Sequence, residues 1–344
     1  MNTTKSRTLH VDGSLLVSNP SDAGPLARQL EDLGYDGVYT FEGRHDPFLP
    51  LAVAAGATSR LKLATGIAVA FARNPMLLAN LGYDLQLMSG GRFMLGLGSQ
   101  IRPHIEKRFS ATWSRPAARM HEMVRAIRAI WACWQDGKPL DFRGEFYTHT
   151  LMTPVFTPGS NPHGLPPIYL AGVGPRMTEV AGEVADGLLV HPFNTARFVA
   201  NEVLPALDRG LAASGRTRAD CDVSAQFIVA TGLDREERER NLALARGQVA
   251  FYASTPAYRP VLDCHGWGDL QPRLNALSKE GKWAEMGALL SDELVNEVVI
   301  HGSPEEVGER LRARAGDWCG RASPVLYAGD LEIRERLVRA IKRS

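Results

Sequence analysis

The chain has 344 residues, 44% of them hydrophobic and 22% charged, which supplies a sizeable core and excludes a disordered segment or a small disulfide-dependent fold. Its 39 Lys and Arg against 38 Asp and Glu leave a net charge of +1, so nothing in the balance points to nucleic acid or an anionic membrane. No run of about 18 apolar residues occurs, and residues 1–14 lack the apolar stretch of a leader peptide, so a cytoplasmic protein acting on small molecules is expected.

Taken in chain order, short apolar, β-branched runs alternate with longer segments of helical period. Strands are predicted at 8–12, 37–41, 62–70, 92–97, 167–171, 187–190, 223–230 and 324–327. Between them lie helix starts at Ser21-Asp22, Pro75, Pro116 and Ser303-Pro304, and glycine stops at Gly34 and Gly90-Gly91. Eight strand-helix units closing on themselves predict a (β/α)8 TIM barrel forming a single domain across residues 1–344. An open doubly wound sheet would carry GxGxxG after its first strand, and none follows Asp12. Two segments, 135–166 and 253–302, exceed ordinary loop lengths and are expected to form lids or substrate walls.

In such a barrel the active site forms where strands end. After the second strand, Glu42, His45 and Asp46 crowd together. His45 exchanges a proton there, oriented by a carboxylate, or the segment is an Asp-Pro turn with a surface ion pair. The third strand contains Gly66, a position at which a flat ligand approaches the backbone or a barrel strand is simply buried. After the fourth, Ser99 and Gln100 lead into a basic run with Arg102, Lys107 and Arg108, suited to an anionic tail or to a solvated helix face. After the fifth, Gly172-Val173-Gly174-Pro175-Arg176 opens a helix whose N-terminus suits a phosphate. His191, just beyond the sixth strand, faces the mouth or is satisfied by a loop carbonyl. Trp113 and Trp267 either cover a planar ring or pack in the core or at the rim. Cys133, Cys221, Cys264 and Cys319 are far apart with no CxxC, and no metal-ligand grouping of His, Asp and Glu occurs, so neither disulfides nor a metal are expected.

The runs LARQLEDLGYDGVYTFE, LKLATGIAVAFARNPMLLA, LMSGGRFMLGLGSQ, IYLAGVGPRMTEVAGEVADGLLVHPF and HGSPEEVGERL resemble the luciferase-like, F420-dependent oxidoreductases. The resemblance implies a homodimeric TIM-barrel enzyme that transfers a hydride between deazaflavin C5 and a small or medium organic substrate. It implies that the ring lies over a third-strand bulge with a non-prolyl cis peptide, mapped here to Gly66-Ile67 with Ala68 adjacent, and that the turn 172–175 holds the cofactor phosphate. Ser99 and Gln100 are carried over as contacts to ring and tail. Sugar-phosphate dehydrogenases of this group have Asp-His after the second strand and a glutamate after the fourth; this chain has Glu42-Gly43 and Ser99-Gln100, which argues against that substrate. His45 and then His191 are the proton-transfer candidates, with Glu42 replacing the aspartate. The alternatives are an FMN-dependent monooxygenase on the same barrel, or a non-catalytic flavin or deazaflavin carrier, against which the long insertions and polar rim argue.

Overall fold

In the computed structural model, which describes residues 8–343, eight parallel strands close into a barrel. Residues 1–7, half of the segment inspected for a leader, lie outside the described residues. The barrel strands are β1 (His10–Ser14), β2 (Gly37–Thr40), β3 (Lys62–Thr65), β4 (Phe93–Gly98), β5 (Ile168–Ala171), β6 (Gly187–Val190), β7 (Asp222–Thr231) and β8 (Arg321–Leu326). Each pairs with the next in chain order, and β8 returns to β1 through His10↔Arg321 and Val11↔Ala322. The first strand starts and ends two residues later than predicted, and the last starts three residues earlier, at Arg321. The predicted strand 62–70 is interrupted after Thr65 and resumes as Ala68–Val69, paired with Leu97 and Gly98 of β4. A short strand that was not predicted, Ile300–Gly302, pairs with the end of β7.

The period of two along the strands separates two environments. Outward residues such as Val11, Val38, Leu63, Leu95, Leu170 and Val223 are buried under the helices, each worth about 1.5–3 kcal/mol of burial. Inward residues include Asp12, Tyr39, Ser224, Gln226, Arg321 and Ser323 beside Ala64, Met94 and Gly96, so polar groups are set into a partly apolar barrel interior. An outer helix follows every strand: Ala23–Asp32, Phe48–Ala57, Pro75–Met88, Pro116–Asp136, Pro175–Val184, Leu204–Ala213, Pro304–Ala315 and Leu331–Lys342. Their starts follow the expected chemistry. Asn74 accepts from the Leu77 N–H ahead of Pro75, and Ser303 with Glu306 forms a reciprocal capping box. No helix among the described residues is long and apolar enough to cross a membrane, and the four cysteines are free.

The two long segments differ in kind. Residues 253–302 belong to an excursion that follows β7 and its helix Arg235–Ser254, and they form short helices at the carboxyl end of the barrel. Residues 135–166 instead leave the far end of the helix Pro116–Asp136 and precede β5, so they are an αβ connection rather than the expected βα loop. Their hairpin, Phe142–Arg143 with Thr148–His149, turns back along that helix. There the Glu122 carboxylate accepts the N–H groups of Glu145, Phe146 and Tyr147 at 2.7–2.9 Å. The hairpin tip thereby reaches the rim, where Arg119 donates to Tyr147 and lies over Phe71, the second residue after the Ala68–Val69 strand.

Candidate active site

The interruption of the third strand is built by specific contacts. Ladder pairing of β3 with β4 ends at Ala64↔Met94, and Thr65 spans the gap with its hydroxyl, donating to Gly96 O at 2.7 Å and accepting the Gly96 N–H at 2.9 Å. Gly96 is obligatory, because a Cβ there would fall 1.8 Å from Thr65 O. The next peptide bond, Gly66-Ile67, is cis, at the position the resemblance assigns to it. The Gly66 N–H donates to Thr40 O at 2.6 Å and Ile67 O accepts the Glu42 N–H at 3.0 Å, which ties the bulge to β2.

Glu42 is the clamp of this region. Its carboxylate accepts from the Val69 N–H at 2.7 Å and from Arg73 Nη1 at 2.5 Å, while Arg73 Nη2 reaches Asp46 at 2.8 Å. Burial disfavours the charge on Arg73, but the two carboxylates outweigh it and hold the guanidinium above its ordinary pKa. Glu42 thus stands as a committed ion-pair partner beneath the loop. His45, three residues on, is exposed and places Nε2 2.9 Å from Ser18 O. It borders a separate hollow between the ends of β1 and β2, together with Phe41 and Asp46.

A cavity of about 750 Å³ runs from the barrel interior to the carboxyl ends of the strands. Gly66, Ile67, Val173 and His191 line its mouth, so the bulge, the expected phosphate turn and the second histidine open onto one space. Tyr39 supports the bulge: a Cβ on Gly66 would lie 3.2 Å from its ring. His191 is tightly held. Its Nδ1 accepts the Phe193 N–H at 3.1 Å, so the neutral ring carries its proton on Nε2, which donates to Tyr258 Oη at 3.0 Å. Tyr258 stacks on the imidazole with ring centroids 4.3 Å apart, Tyr252 meets it edge-on at 4.8 Å, and burial pushes the histidine pKa down to about 3. The excursion after β7 therefore packs behind His191 and holds it in place at the cavity mouth.

At the phosphate turn, Gly174 precedes the helix Pro175–Val184 with no side-chain cap, and nothing lies within 4 Å of a Cβ placed on it. Gly172 by contrast packs on Thr178, whose Oγ1 a Cβ would approach to 2.6 Å. The remaining expected contacts stand outside the cavity lining. Gln100 adopts φ +60° with Ser99 Oγ donating to its carbonyl, Arg102 pairs with Glu106 at 2.9 Å, and Arg176 pairs with Glu179 and, at 3.7 Å, Glu183. Arg108 binds Gly43 O and joins the loops after β2 and β4. Trp113 meets Phe71 edge-on, and Trp267 stacks on His265, which contacts Thr195.

Sequence reasoning missed the floor. Arg321 binds Asp12 in a bidentate ion pair at 2.5 and 2.7 Å, both side chains under 10% exposed, and Tyr169 Oη donates to Asp222 at 3.1 Å. Above them, Tyr39, Ser224, Gln226 and Ser323 face the cavity. Their signal is polar residues at alternate positions of otherwise apolar strands.

An uncapped helix N-terminus beside a bulge and a mixed polar and apolar interior fits a ligand with a flat ring and a phosphate. Residues 3–318 match the sequence profile of the luciferase-like monooxygenases. An uncharacterized protein of Mycobacterium tuberculosis is 52% identical over 327 residues, spanning 95% of this chain and 96% of that one. A 5,10-methylenetetrahydromethanopterin reductase of Archaeoglobus fulgidus is 32% identical over 292 residues, 82% of each chain. The structure of the coenzyme F420-dependent tetrahydromethanopterin reductase of Methanopyrus kandleri superposes with a TM-score of 0.78 at 20% identity, covering 97% of both chains.

Proposed function

The chain belongs to the luciferase-like monooxygenase family, and from that premise we propose that it is a coenzyme F420-dependent oxidoreductase acting on a small or medium organic substrate. The observation that carries this reading is that Gly66 and Ile67 line the same cavity as Val173, which precedes an uncapped helix N-terminus. One ligand with a planar ring and a phosphate spans both. When bound, F420 supplies the hydride chemistry at its C5 position. The chain's part is to hold the ring against Gly66, Ile67 and Ala68 and to take the phosphate at Gly172-Val173-Gly174-Pro175.

F420 is favoured over FMN by the reductase relatives and by the basic groups around the mouth, since its tail carries carboxylates. Arg102 and Arg176 are paired with glutamates on exposed surfaces, where such pairs are worth about 0.2–1 kcal/mol, so a polyanionic tail competes for them with Ser99 and Gln100 alongside. In this reading Glu42 fixes the bulge and His191 is a neutral wall, while His45 borders the neighbouring hollow rather than the ring cavity and is given no proton role. The test is an anaerobic assay of F420 oxidation and reduction over a panel of alcohols, carbonyls and imines, with oxygen uptake on reduced FMN run in parallel. F420 turnover is expected. Oxygen-dependent turnover with reduced FMN and none with F420 would contradict it.

A further inference from the structure

We infer that Gln226, with Ser323 and Tyr39 beside it, is the recognition element for the imide edge of the bound ring, the C=O/N–H/C=O side shared by flavins and deazaflavins. The inference rests on the reading that such a ring occupies this cavity. Its ground is a set of polar groups left open in a buried place. Tyr39 is 7% exposed, Ser323 2% and Ser224 9%, and all three line the cavity with Gln226. No hydrogen bond to any of these four side chains occurs among the described residues, although polar groups so deeply placed are normally met by a partner. The strands hold them in register: Gln226 is directly opposite Ser323 on β8, and the Gln226 carbonyl is pinned by Asn194 Nδ2 at 3.1 Å.

The chemistry of the set selects the ligand's end. The charges beneath are closed on one another in the Asp12–Arg321 pair, so the floor presents no unpaired charge and does not suit a carboxylate or phosphate. What remains is neutral and mixed. A carboxamide offers an acceptor and a donor side by side, the complement of an imide N–H next to its carbonyl, and the Tyr39 and Ser323 hydroxyls supply further donors for the carbonyl oxygens. The bulge at Gly66-Ile67 lines the same cavity, within reach of a ring entering edge first.

The test is a titration of the full chain with F420 and FMN and with the N3-methyl derivative of each, followed by absorbance and fluorescence, for the native protein, Gln226→Leu and Ser323→Ala. For whichever parent ring binds, N3-methylation is expected to weaken native binding about 10-fold. Gln226→Leu should weaken the parent ring by a similar factor and erase the discrimination against the methylated one, and Ser323→Ala, a milder change, should weaken the parent about 3-fold. Unchanged melting temperatures establish that the variants fold. If Gln226→Leu keeps both the affinity and the discrimination, the assignment of Gln226 is overturned while the cofactor reading stands. If the native protein binds neither ring, both fail.

Discussion

At the scale of single residues, two histidines with similar positions along the chain's logic have opposite fates. His45 is exposed at the edge of a hollow, whereas His191 is enclosed by Tyr252, Tyr258 and the backbone of Phe193. Protonating His191 destroys the bond its Nδ1 accepts and buries a charge. Its folded pKa of about 3 lies below the ordinary value of 6.5, so the folded state favours the neutral ring, and the stability this contributes is present above pH 6.5 and falls away as the pH drops toward 3. By pH 5 the loss from this one group is about 2 kcal/mol. Urea unfolding of the native protein and of His191→Asn at pH 7 and pH 5 measures it. The native protein should lose about 2 kcal/mol more than the variant between the two pH values, and parallel pH dependences would remove His191 as the source.

Elements carry the next level of the account, and here two glycines in one turn have different duties. Gly172→Ala drives a Cβ into Thr178, so it should displace the turn and destabilise the protein by about 1–3 kcal/mol. Gly174→Ala meets open space at an ordinary extended φ of −99°, so stability should stay within about 0.5 kcal/mol while affinity for a phosphate-bearing ligand drops. Equal ligand affinity in Gly174→Ala and the native protein would place the phosphate elsewhere. The hairpin 142–149 depends on Glu122 in the same local way. Glu122→Ala leaves three N–H groups without their acceptor, and hydrogen exchange at Glu145, Phe146 and Tyr147 should accelerate about 10-fold or more, with a stability loss of about 2–4 kcal/mol. Exchange at the native rate would mean that the hairpin is held by other contacts.

The elements also divide what was legible in the sequence. Strands whose two faces are apolar, such as β4 and β6, and helices announced by Asn74-Pro75 or Ser303-Pro304 were readable to within a residue or two. β8 was started three residues late because Arg321 and Ser323 turn polar side chains into the barrel, and a hydrophobicity signal reads those positions as loop. The same inward residues form the cavity floor, so the part of the site hardest to see was the part that blurred the strand ends. Ile300–Gly302 is three residues long and lies within a helical excursion, too short for any period to register. The glycines of the turn 172–175 mark it in the sequence, whereas the Gly66-Ile67 bulge was placed by the family resemblance, since Gly66 alone left a simply buried strand equally open. Glu42 was found as a residue but not as a clamp, since its partners Val69 and Arg73 are 27 and 31 positions away.

Over the whole molecule, closure depends on joining the first strand to the last, 309 residues apart, and the Asp12–Arg321 pair spans that seam. The surrounding charges outweigh the burial that disfavours its guanidinium, so Arg321 is held charged, and Gly37 leaves the room, since a Cβ there would lie 2.5 Å from Asp12 Oδ1. Arg321→Met strands a buried carboxylate and should cost about 3–5 kcal/mol, whereas the double variant Asp12→Leu with Arg321→Met should recover much of that loss. Equal destabilisation by the single and double variants would mean that shape rather than charge closes the seam.

We propose that this barrel holds a deazaflavin between the Gly66-Ile67 bulge and the turn at Gly174. The most direct test is equilibrium titration of the purified chain with F420 and with FMN, read by cofactor fluorescence. Saturable F420 binding at least about 10-fold tighter than that of FMN, and weakened by Gly174→Ala, is expected; tighter binding of FMN, or no binding of either cofactor, would overturn the proposal.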